Sequence, residues 1–264
     1  MKITHIIAVT LTLIAAQSLR AQTITADNFN SYAIGSGTPS STFPSAVPTY
    51  GGTWTVSATG TATVQDGAAY SAASNVMTFT QNGSGQTPLI LLNLPSAYSG
   101  TDTWTASIDL RVPVLGDTGG FTLLSINSSI NRLGTVGMFT SGGTNYLFFG
   151  ASTVSAGGVT DFQNFGIGFS LNTWYTVTLS GNNATQVISA SVTGFSAPAS
   201  RFYNTNVSSF DRVILGDLGG NGLLTTAVVD NFSLTAVPEP STSVMLIVGA
   251  ALLLGRFRKK SRVS

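Results

Sequence analysis

The chain has 264 residues, of which only 8% are charged, against about 25% in an average globular domain. The body between residues 22 and 236 holds four arginines and nine aspartates, which give it a net charge of −5, and it contains no Lys, Glu, His or Cys. These absences exclude Ser-His-Asp and Cys-His catalytic arrangements, zinc sites built from His and Cys, and disulfide bonds. The acidic balance also excludes binding to nucleic acid, which needs clustered basic side chains.

The first 21 residues have the pattern of a secretory signal peptide. Lys2 precedes an apolar run over Ile6–Ala16, and the segment ends on the small residue Ala21. Such a segment forms a short helix, directs export through the Sec translocon and is then removed. We expect cleavage between Ala21 and Gln22. The alternative interpretation is a buried N-terminal helix that stays in the mature protein.

The body, residues 22–236, alternates between apolar and polar residues in many short segments separated by Gly- and Asn-rich turns. In Thr103–Val112, for example, every second residue from Trp104 onward is apolar. Alternation with a period of two is typical of strands that bury one face, and many short strands with turns between them indicate a β-sandwich. The predicted strands are Thr53–Ser57, Thr61–Gln65, Val76–Thr80, Pro88–Asn93, Thr103–Val112, Phe121–Asn127, Gly134–Thr140, Asn145–Gly150, Thr173–Ser180, Thr185–Val192, Arg212–Gly216 and Thr226–Leu234.

Two features of the body resemble laminin-G and concanavalin A-like jelly rolls. The segment Leu171–Leu179 is similar to a strand of those domains that starts with Trp-Tyr and is followed by a hairpin. The opening Ala26–Phe29 and the closing Val229–Leu234 both carry Asp-Asn-Phe, which is similar to carbohydrate-binding jelly rolls whose first and last strands pair. The resemblance implies an all-β fold in which two antiparallel sheets form a jelly-roll sandwich.

Calcium is the ligand that the composition favours, because hard cations take carboxylate and carbonyl oxygens and the body offers Asp and Asn but no soft ligand. If the terminal strands pair, Asp27 and Asp230 come close together, and the jelly-roll resemblance implies a structural calcium there. The alternative is that both Asp-Asn pairs only shape turns by hydrogen bonding to their own backbone.

Aromatic side chains that stack on sugar rings are the second candidate feature, because glycan sites combine such rings with Asn, Asp and Gln. Tyr203 and Phe162 lie in loop-like, Asn-rich segments and are the candidates for stacking. Trp104 and Trp174 lie in alternating strands and are predicted to belong to the core.

A glycan hydrolase is the enzymatic alternative, since concanavalin-like folds also host glycosidases that use paired carboxylates. The body has no Glu, and the nearest substitute is Asp102 with Asp109. An odd separation places those two side chains on opposite faces of a regular strand. We therefore expect no catalytic residues in the body, and a degenerate hydrolase at most.

The C-terminal segment combines three features in close succession. The motif Val237-Pro238-Glu239-Pro240 comes first, an apolar run over residues 242–255 follows, and the basic residues Arg256, Arg258, Lys259 and Lys260 end it. This order resembles the PEP-CTERM sorting signal of Gram-negative bacteria. The resemblance implies recognition by an exosortase, cleavage near the Pro-Glu-Pro motif, and release or transfer to the cell surface.

The physical chemistry of this segment, residues 237–264, agrees with that resemblance. Two prolines within three residues prevent a helix through the junction. A helix over residues 242–255 is about 21 Å long, short of the roughly 30 Å hydrocarbon core, so it suits a transient inner-membrane anchor. The basic cluster after it keeps that end in the cytoplasm and the body outside. The alternative is a plain C-terminal anchor.

Together these patterns predict an exported, non-enzymatic protein of the cell surface, outer envelope or extracellular matrix. Its role is expected to be structural or adhesive within the exopolysaccharide layer. The alternative is a carbohydrate-binding module, whose partner is a polysaccharide.

Overall fold

The alternating segments of the body form two antiparallel sheets. The computed structural model describes residues 22–35, 42–44, 53–56, 61–81, 88–99, 103–115, 120–128, 131–151, 161–196, 200–202, 209–216 and 225–237. The strands within these ranges are β1 Gln22–Asp27, β2 Thr42–Pro44, β3 Thr53–Val56, β4 Thr61–Gln65, β5 Val76–Gln81, β6 Ile90–Ser99, β7 Thr103–Val114, β8 Gly120–Ser128, β9 Asn131–Ser141, β10 Thr144–Ala151, β11 Asp161–Ile167, β12 Tyr175–Asn182, β13 Val187–Val192, β14 Arg201–Phe202, β15 Ser209–Leu215 and β16 Thr225–Val237. A 3₁₀ helix, Gly67–Tyr70, follows β4.

Each sheet has eight strands. Sheet A has the order β14-β13-β12-β7-β16-β5-β4, with β1 also paired to β16. Sheet B has the order β11-β10-β9-β8-β15-β6-β3-β2. The expectation of an all-β protein with two antiparallel sheets is therefore confirmed, and β1 does pair with β16, as predicted for the first and last strands.

The two sheets pack face to face around one core, to which the inward side chains of both contribute. Trp54 of sheet B is fully buried and packs edge-on against Phe232 of sheet A, with ring centroids 5.5 Å apart. Trp104 of sheet A is 1% exposed, and its ring centroid lies 5.7 Å from that of Phe210 of sheet B. The prediction that Trp104 belongs to the core is thus confirmed. Burying rings of this size removes much apolar surface from water, which is the main source of stability for such a sandwich.

Strand β7 shows why alternation predicts this architecture well. Its residues from Thr103 to Val112 alternate between half-buried and buried, so that its apolar face contacts the core and its polar face lies on the outside of sheet A. On its two sides β7 pairs with β12 and β16. The outer face of these three strands therefore carries polar side chains next to one another.

Some predictions differ from the structure or lie outside it. Phe162 lies in strand β11 rather than in a loop, with its backbone paired to Gly150. The apolar runs predicted as the signal helix and as the membrane helix, residues 242–255, lie outside the described residues. In the ranges that the structure describes, none of the helical segments has the length and apolar character needed to cross a membrane.

Candidate functional site

A cavity of about 310 Å³ opens on the outer face of sheet A. Its floor comes from the polar face of β7, β12 and β16, and one wall comes from the loop after the 3₁₀ helix. The lining residues are two carboxylates, one amide, four hydroxyl side chains, two aromatic rings and two alanines: Asp109, Asp230, Asn231, Ser71, Ser74, Thr176, Thr193, Trp174, Tyr175, Ala72 and Ala73.

A bulge in β16 shapes the floor. The register between β16 and β7 shifts between Asp230 and Ser233, and Asn231 has a φ of 49°. Asn adopts this left-handed conformation more readily than most residues, and a bulge sets two residues against one on the neighbouring strand. As a result, the consecutive residues Asp230 and Asn231 both line the cavity, although strict alternation would send one of them inward.

Asp109 is held by two neutral donors. The Thr176 hydroxyl donates to its Oδ1 at 2.7 Å, and the Asn231 side-chain amide donates to its Oδ2 at 2.9 Å. These contacts join three neighbouring strands, β12, β7 and β16, on the floor of the cavity. They fix the orientation of the carboxylate without neutralising its charge.

Asp230 is directly opposite Asp109 in the register of β7 and β16 and is only 4% exposed. The Ser74 hydroxyl donates to its Oδ2 at 2.8 Å, and the backbone N–H of Asn231 donates to its Oδ1 at 2.7 Å. Burial raises the pKa of Asp230 above its ordinary value. The nearby carboxylates of Asp109 and Asp27 raise this pKa further, whereas the two hydrogen bonds oppose the shift.

The wall of the cavity is anchored through the Tyr70 carbonyl at the end of the 3₁₀ helix. The Trp174 indole N–H donates to this oxygen at 2.9 Å, and the Arg111 guanidinium donates to it as well. Gly67 allows the turn to close, because a Cβ there would lie 1.7 Å from the Ser74 carbonyl oxygen. The loop that carries Ser71 and Ser74 is thereby fixed against the sheet.

Trp174 is half-buried and lines the cavity, so the prediction that it belongs to the core is wrong. It lies on the same side of the chain as Thr176, which is exposed, whereas Val177 and Leu179 are fully buried. Sequence alternation contained this signal, because Trp174 and Thr176 are two residues apart and share a face.

The two residues predicted to bind calcium lie in paired strands, but their carboxylates have different surroundings. Asp27 accepts hydrogen bonds from the Trp54 indole N–H at 2.9 Å, from the Phe29 backbone N–H at 2.8 Å and from the Tyr32 hydroxyl. Because Trp54 belongs to sheet B, Asp27 points between the sheets, whereas Asp230 faces the outer cavity. Among the described residues, no group of three Asp, Glu, His or Cys side chains is arranged to hold a metal. Calcium at Asp27 and Asp230 stays a prediction.

Neither of the two residues predicted to stack on glycans has a described side chain. Tyr203 lies outside the described residues, and for Phe162 only the backbone is described. The structure instead shows a half-exposed aromatic pair on sheet B, which sequence reasoning did not single out. Phe139 and Tyr146 are cross-strand neighbours whose rings stack with centroids 4.9 Å apart, and Phe148 lies beside them.

The termini of the body are described only at their first and last strands. Gln22 begins β1 and pairs with Ala236, and Val237 ends β16 opposite Thr103. The processing position Ala21, the motif residues Pro238, Glu239 and Pro240, and the basic residues Arg256, Arg258, Lys259 and Lys260 lie outside the described residues. The predicted signal cleavage and the predicted domain boundaries stay predictions.

The juxtaposition of Asp109 and Asp230 is the feature that sequence reasoning missed. The polar face of β7 was predictable from alternation, and so was the strand that contains Asp230. That β7 and β16 are neighbours was not, because they are separated by more than a hundred residues and no local pattern encodes their pairing. Asp102, the other carboxylate near Asp109 in the sequence, lies outside the described residues.

Solved structures similar to this chain are binding domains of botulinum neurotoxins. The binding domain of serotype G matches 87% of this chain with 14% identity and a TM-score of 0.53. A structure of type C, whose cell entry depends on interaction with two ganglioside molecules, matches 91% with 10% identity and a TM-score of 0.54. The chain spans about half the length of these structures, 51% and 53% respectively. At such low identity the likeness concerns the fold alone, a β-sandwich.

Sequence comparison gives a result only for the C-terminal segment. No curated protein matches the chain. The PEP-CTERM protein-sorting motif matches residues 236–260, which confirms the identification of the segment that contains Val237-Pro238-Glu239-Pro240. This motif indicates an exported protein that has a C-terminal membrane anchor before processing, and it implies processing by an exosortase. The chain carries a PEP-CTERM sorting motif behind a two-sheet β-sandwich body.

Proposed function

We propose that this chain is a non-enzymatic adhesive protein of the cell surface or extracellular matrix, and that its sandwich binds polysaccharide in the cavity on sheet A. Export occurs through the Sec translocon, the C-terminal helix anchors the chain transiently in the inner membrane, and an exosortase then releases it to the exopolysaccharide layer. We also propose that the sandwich is a concanavalin A-like jelly roll.

The observation that carries the proposal is the composition of the cavity. Trp174 offers aromatic surface, while Asp109, Asn231 and Thr176 offer fixed hydrogen-bonding groups beside it. Sugar rings present apolar faces and a rim of hydroxyls, so sites that bind them combine these two kinds of group. The cavity volume of about 310 Å³ lies at the lower end of the range for ligand pockets, about 300–1,000 Å³, and so suits a small ligand group such as a sugar ring.

The cavity is also well preorganised. Asp109 is fixed by Thr176 and Asn231, and Trp174 is fixed through the Tyr70 carbonyl. Groups that are already held in place lose little conformational entropy when a ligand binds. The similar type C neurotoxin, whose cell entry depends on interaction with two ganglioside molecules, supports the proposal by analogy of fold.

The test is binding of a polysaccharide panel to the full-length protein in detergent, with two matched aromatic variants. Trp174→Ala removes the ring from the cavity, and Tyr146→Ala removes a half-exposed ring from the other sheet. We expect the first variant to lose at least about tenfold in affinity and the second to keep the affinity of the parent. The proposal is overturned if only Tyr146→Ala loses affinity, or if the parent protein binds none of the polysaccharides.

A glycan hydrolase is the second candidate function, and one observation favours it. Asp109 and Asp230 face the same cavity, and burial raises the pKa of Asp230, so the pair has the unequal environments of an acid and its partner carboxylate. Release of reducing ends from the bound polysaccharide, abolished by Asp109→Asn, would establish this activity. Binding without release supports the non-enzymatic role.

A further inference from the structure

The charges of the cavity carry an inference about its ligand, and this inference rests on the proposed glycan-binding function. Both charged side chains among the described lining residues are acidic: Asp109 and Asp230. Among its described lining residues there is no Lys, Arg or His. Arg111 follows Asp109 by two residues on β7 and does not line the cavity; its guanidinium donates to the Tyr70 carbonyl and to Asn172 Oδ1, not to either carboxylate.

The hydrogen bonds to the two carboxylates leave their charge uncompensated. The four donors that the described residues supply are neutral: the hydroxyls of Thr176 and Ser74, and the side-chain amide and backbone N–H of Asn231. Each of the four carboxylate oxygens receives one of these bonds, and a carboxylate oxygen accepts about two. Every oxygen therefore keeps the capacity to accept a further hydrogen bond from a ligand.

The arrangement of the two carboxylates favours a cationic ligand group. Like charges directly opposite each other on neighbouring strands repel, and partial burial reduces the screening of this repulsion by water. A cation placed near both carboxylates removes the repulsion, whereas an anion increases it. Trp174 lies in the same cavity, and indole rings attract cations as well as sugar faces.

We propose that the cavity selects sugars that carry a free amine, that is, 2-amino-2-deoxyhexose residues without an N-acyl group. The ammonium group binds between Asp109 and Asp230, and the sugar ring lies against Trp174. N-acetylation removes the positive charge and leaves the carboxylates unpaired, so acetylated residues bind more weakly. Uronic acids, which bring a carboxylate of their own, are excluded by repulsion.

The experiment compares three oligosaccharides of equal length on the full-length protein in detergent. The probes are a fully deacetylated glucosamine hexamer, the N-acetylglucosamine hexamer and a hexamer of galacturonic acid, measured by calorimetry at a pH at which the sugar amines are protonated. We expect the deacetylated hexamer to bind at least about tenfold more tightly than the acetylated one, and the uronate not to bind. Increasing the salt concentration should reduce the difference in affinity between the deacetylated and the acetylated hexamer.

Two variants assign the selectivity to the cavity. Asp109→Asn should lower affinity for the deacetylated hexamer about tenfold and leave the acetylated hexamer nearly unaffected. The control, Asp211→Asn, removes the same charge from β15 of sheet B and should change neither affinity.

The two proposals fail in different ways. If the acetylated or uronate hexamer binds as tightly as the deacetylated one, and Trp174→Ala abolishes that binding, the amine selectivity is overturned while glycan binding in the cavity stands. If Trp174→Ala changes the binding of none of the hexamers, both proposals are overturned.

Discussion

Asp109 on β7 and Asp230 on β16 lie directly opposite each other on the outer face of sheet A. Asn231 contacts both carboxylates, through its side-chain amide and its backbone N–H. Like charges directly opposite each other on neighbouring strands destabilise a sheet, and here such a pair lies on the floor of a cavity. This pair on the cavity floor is the observation from which we propose that the cavity selects a cationic ligand group.

The first prediction concerns the pH dependence of stability. Since the pKa of Asp230 is raised in the folded protein, the folded state holds the proton more tightly than the unfolded chain does. Its contribution to stability is therefore most favourable below the unfolded pKa and declines as the pH rises through the folded pKa. Asp230→Asn should be more stable than the parent at neutral pH, and the gain should shrink toward about pH 4, near the unfolded pKa of Asp. Urea unfolding midpoints measure this.

Ser74→Ala is the matched control for that pH dependence. It removes a hydrogen bond that favours the ionised form of Asp230. This variant should therefore lose more stability at neutral pH than in acid, the opposite trend from Asp230→Asn. Parallel pH profiles for the two variants and the parent would contradict the assigned role of Asp230.

A second prediction concerns Asp27, which acts as a buried hydrogen-bond acceptor between the sheets. Asp27→Ala removes the acceptor of the Trp54 indole N–H, and Trp54 is fully buried. A buried donor that loses its acceptor costs roughly 1–3 kcal/mol, so we expect a loss of about 2–3 kcal/mol in the free energy of unfolding. Asp66→Ala, which removes only a cap of the exposed 3₁₀ turn, should cost about 1 kcal/mol. Equal losses in the two variants would argue against the role of Asp27.

The calcium prediction has its own test, a thermal melt with calcium and then with a chelator. If Asp27 and Asp230 hold a structural ion, calcium raises the midpoint, the chelator reverses the rise, and Asp27→Asn abolishes it. A midpoint that does not change with calcium or chelator would overturn the prediction.

A further prediction concerns the close contact between Gly181 and Trp104. These residues are opposite each other on β12 and β7, and a Cβ at Gly181 would lie 2.2 Å from Cζ2 of the buried indole. The rigid ring cannot move without disturbing the core, so Gly181→Ala should destabilise the protein by about 1–3 kcal/mol. Ser191→Ala, at an exposed position of β13, should change the urea midpoint little. A Gly181→Ala protein as stable as the parent would show that the core is more loosely packed here.

The sequence predicts which segments form strands better than it predicts which strands lie next to one another in a sheet. The alternation in β7 and β12 assigns the faces of Trp104, Val177 and Leu179 correctly, because each strand has one face in the core. Strand β11 is missed because its apolar residues, Phe162, Phe165 and Ile167, are unevenly spaced and do not follow a period of two. A strand at the edge of a sheet is held by backbone pairing, here with β10, which leaves a weak mark on its composition.

The candidate site depends on relationships that no local pattern contains. The pairing of β7 with β16 brings Asp109 opposite Asp230, and the bulge at Asn231 directs an additional polar residue into the cavity. Both arise from how distant segments pack, not from the residues within either strand. The export and sorting segments differ, because a short linear pattern is enough to recognise them. The sorting motif at residues 236–260 was therefore predictable from the sequence alone.

The most direct test of this account is the affinity of the full-length protein for the deacetylated glucosamine hexamer, compared between the parent and Trp174→Ala. Calorimetry should show binding by the parent and a loss of at least about tenfold, or 1.4 kcal/mol, in the variant, while Tyr146→Ala binds like the parent. Equal affinities of the parent and Trp174→Ala would contradict the assignment of the cavity on sheet A as the glycan site.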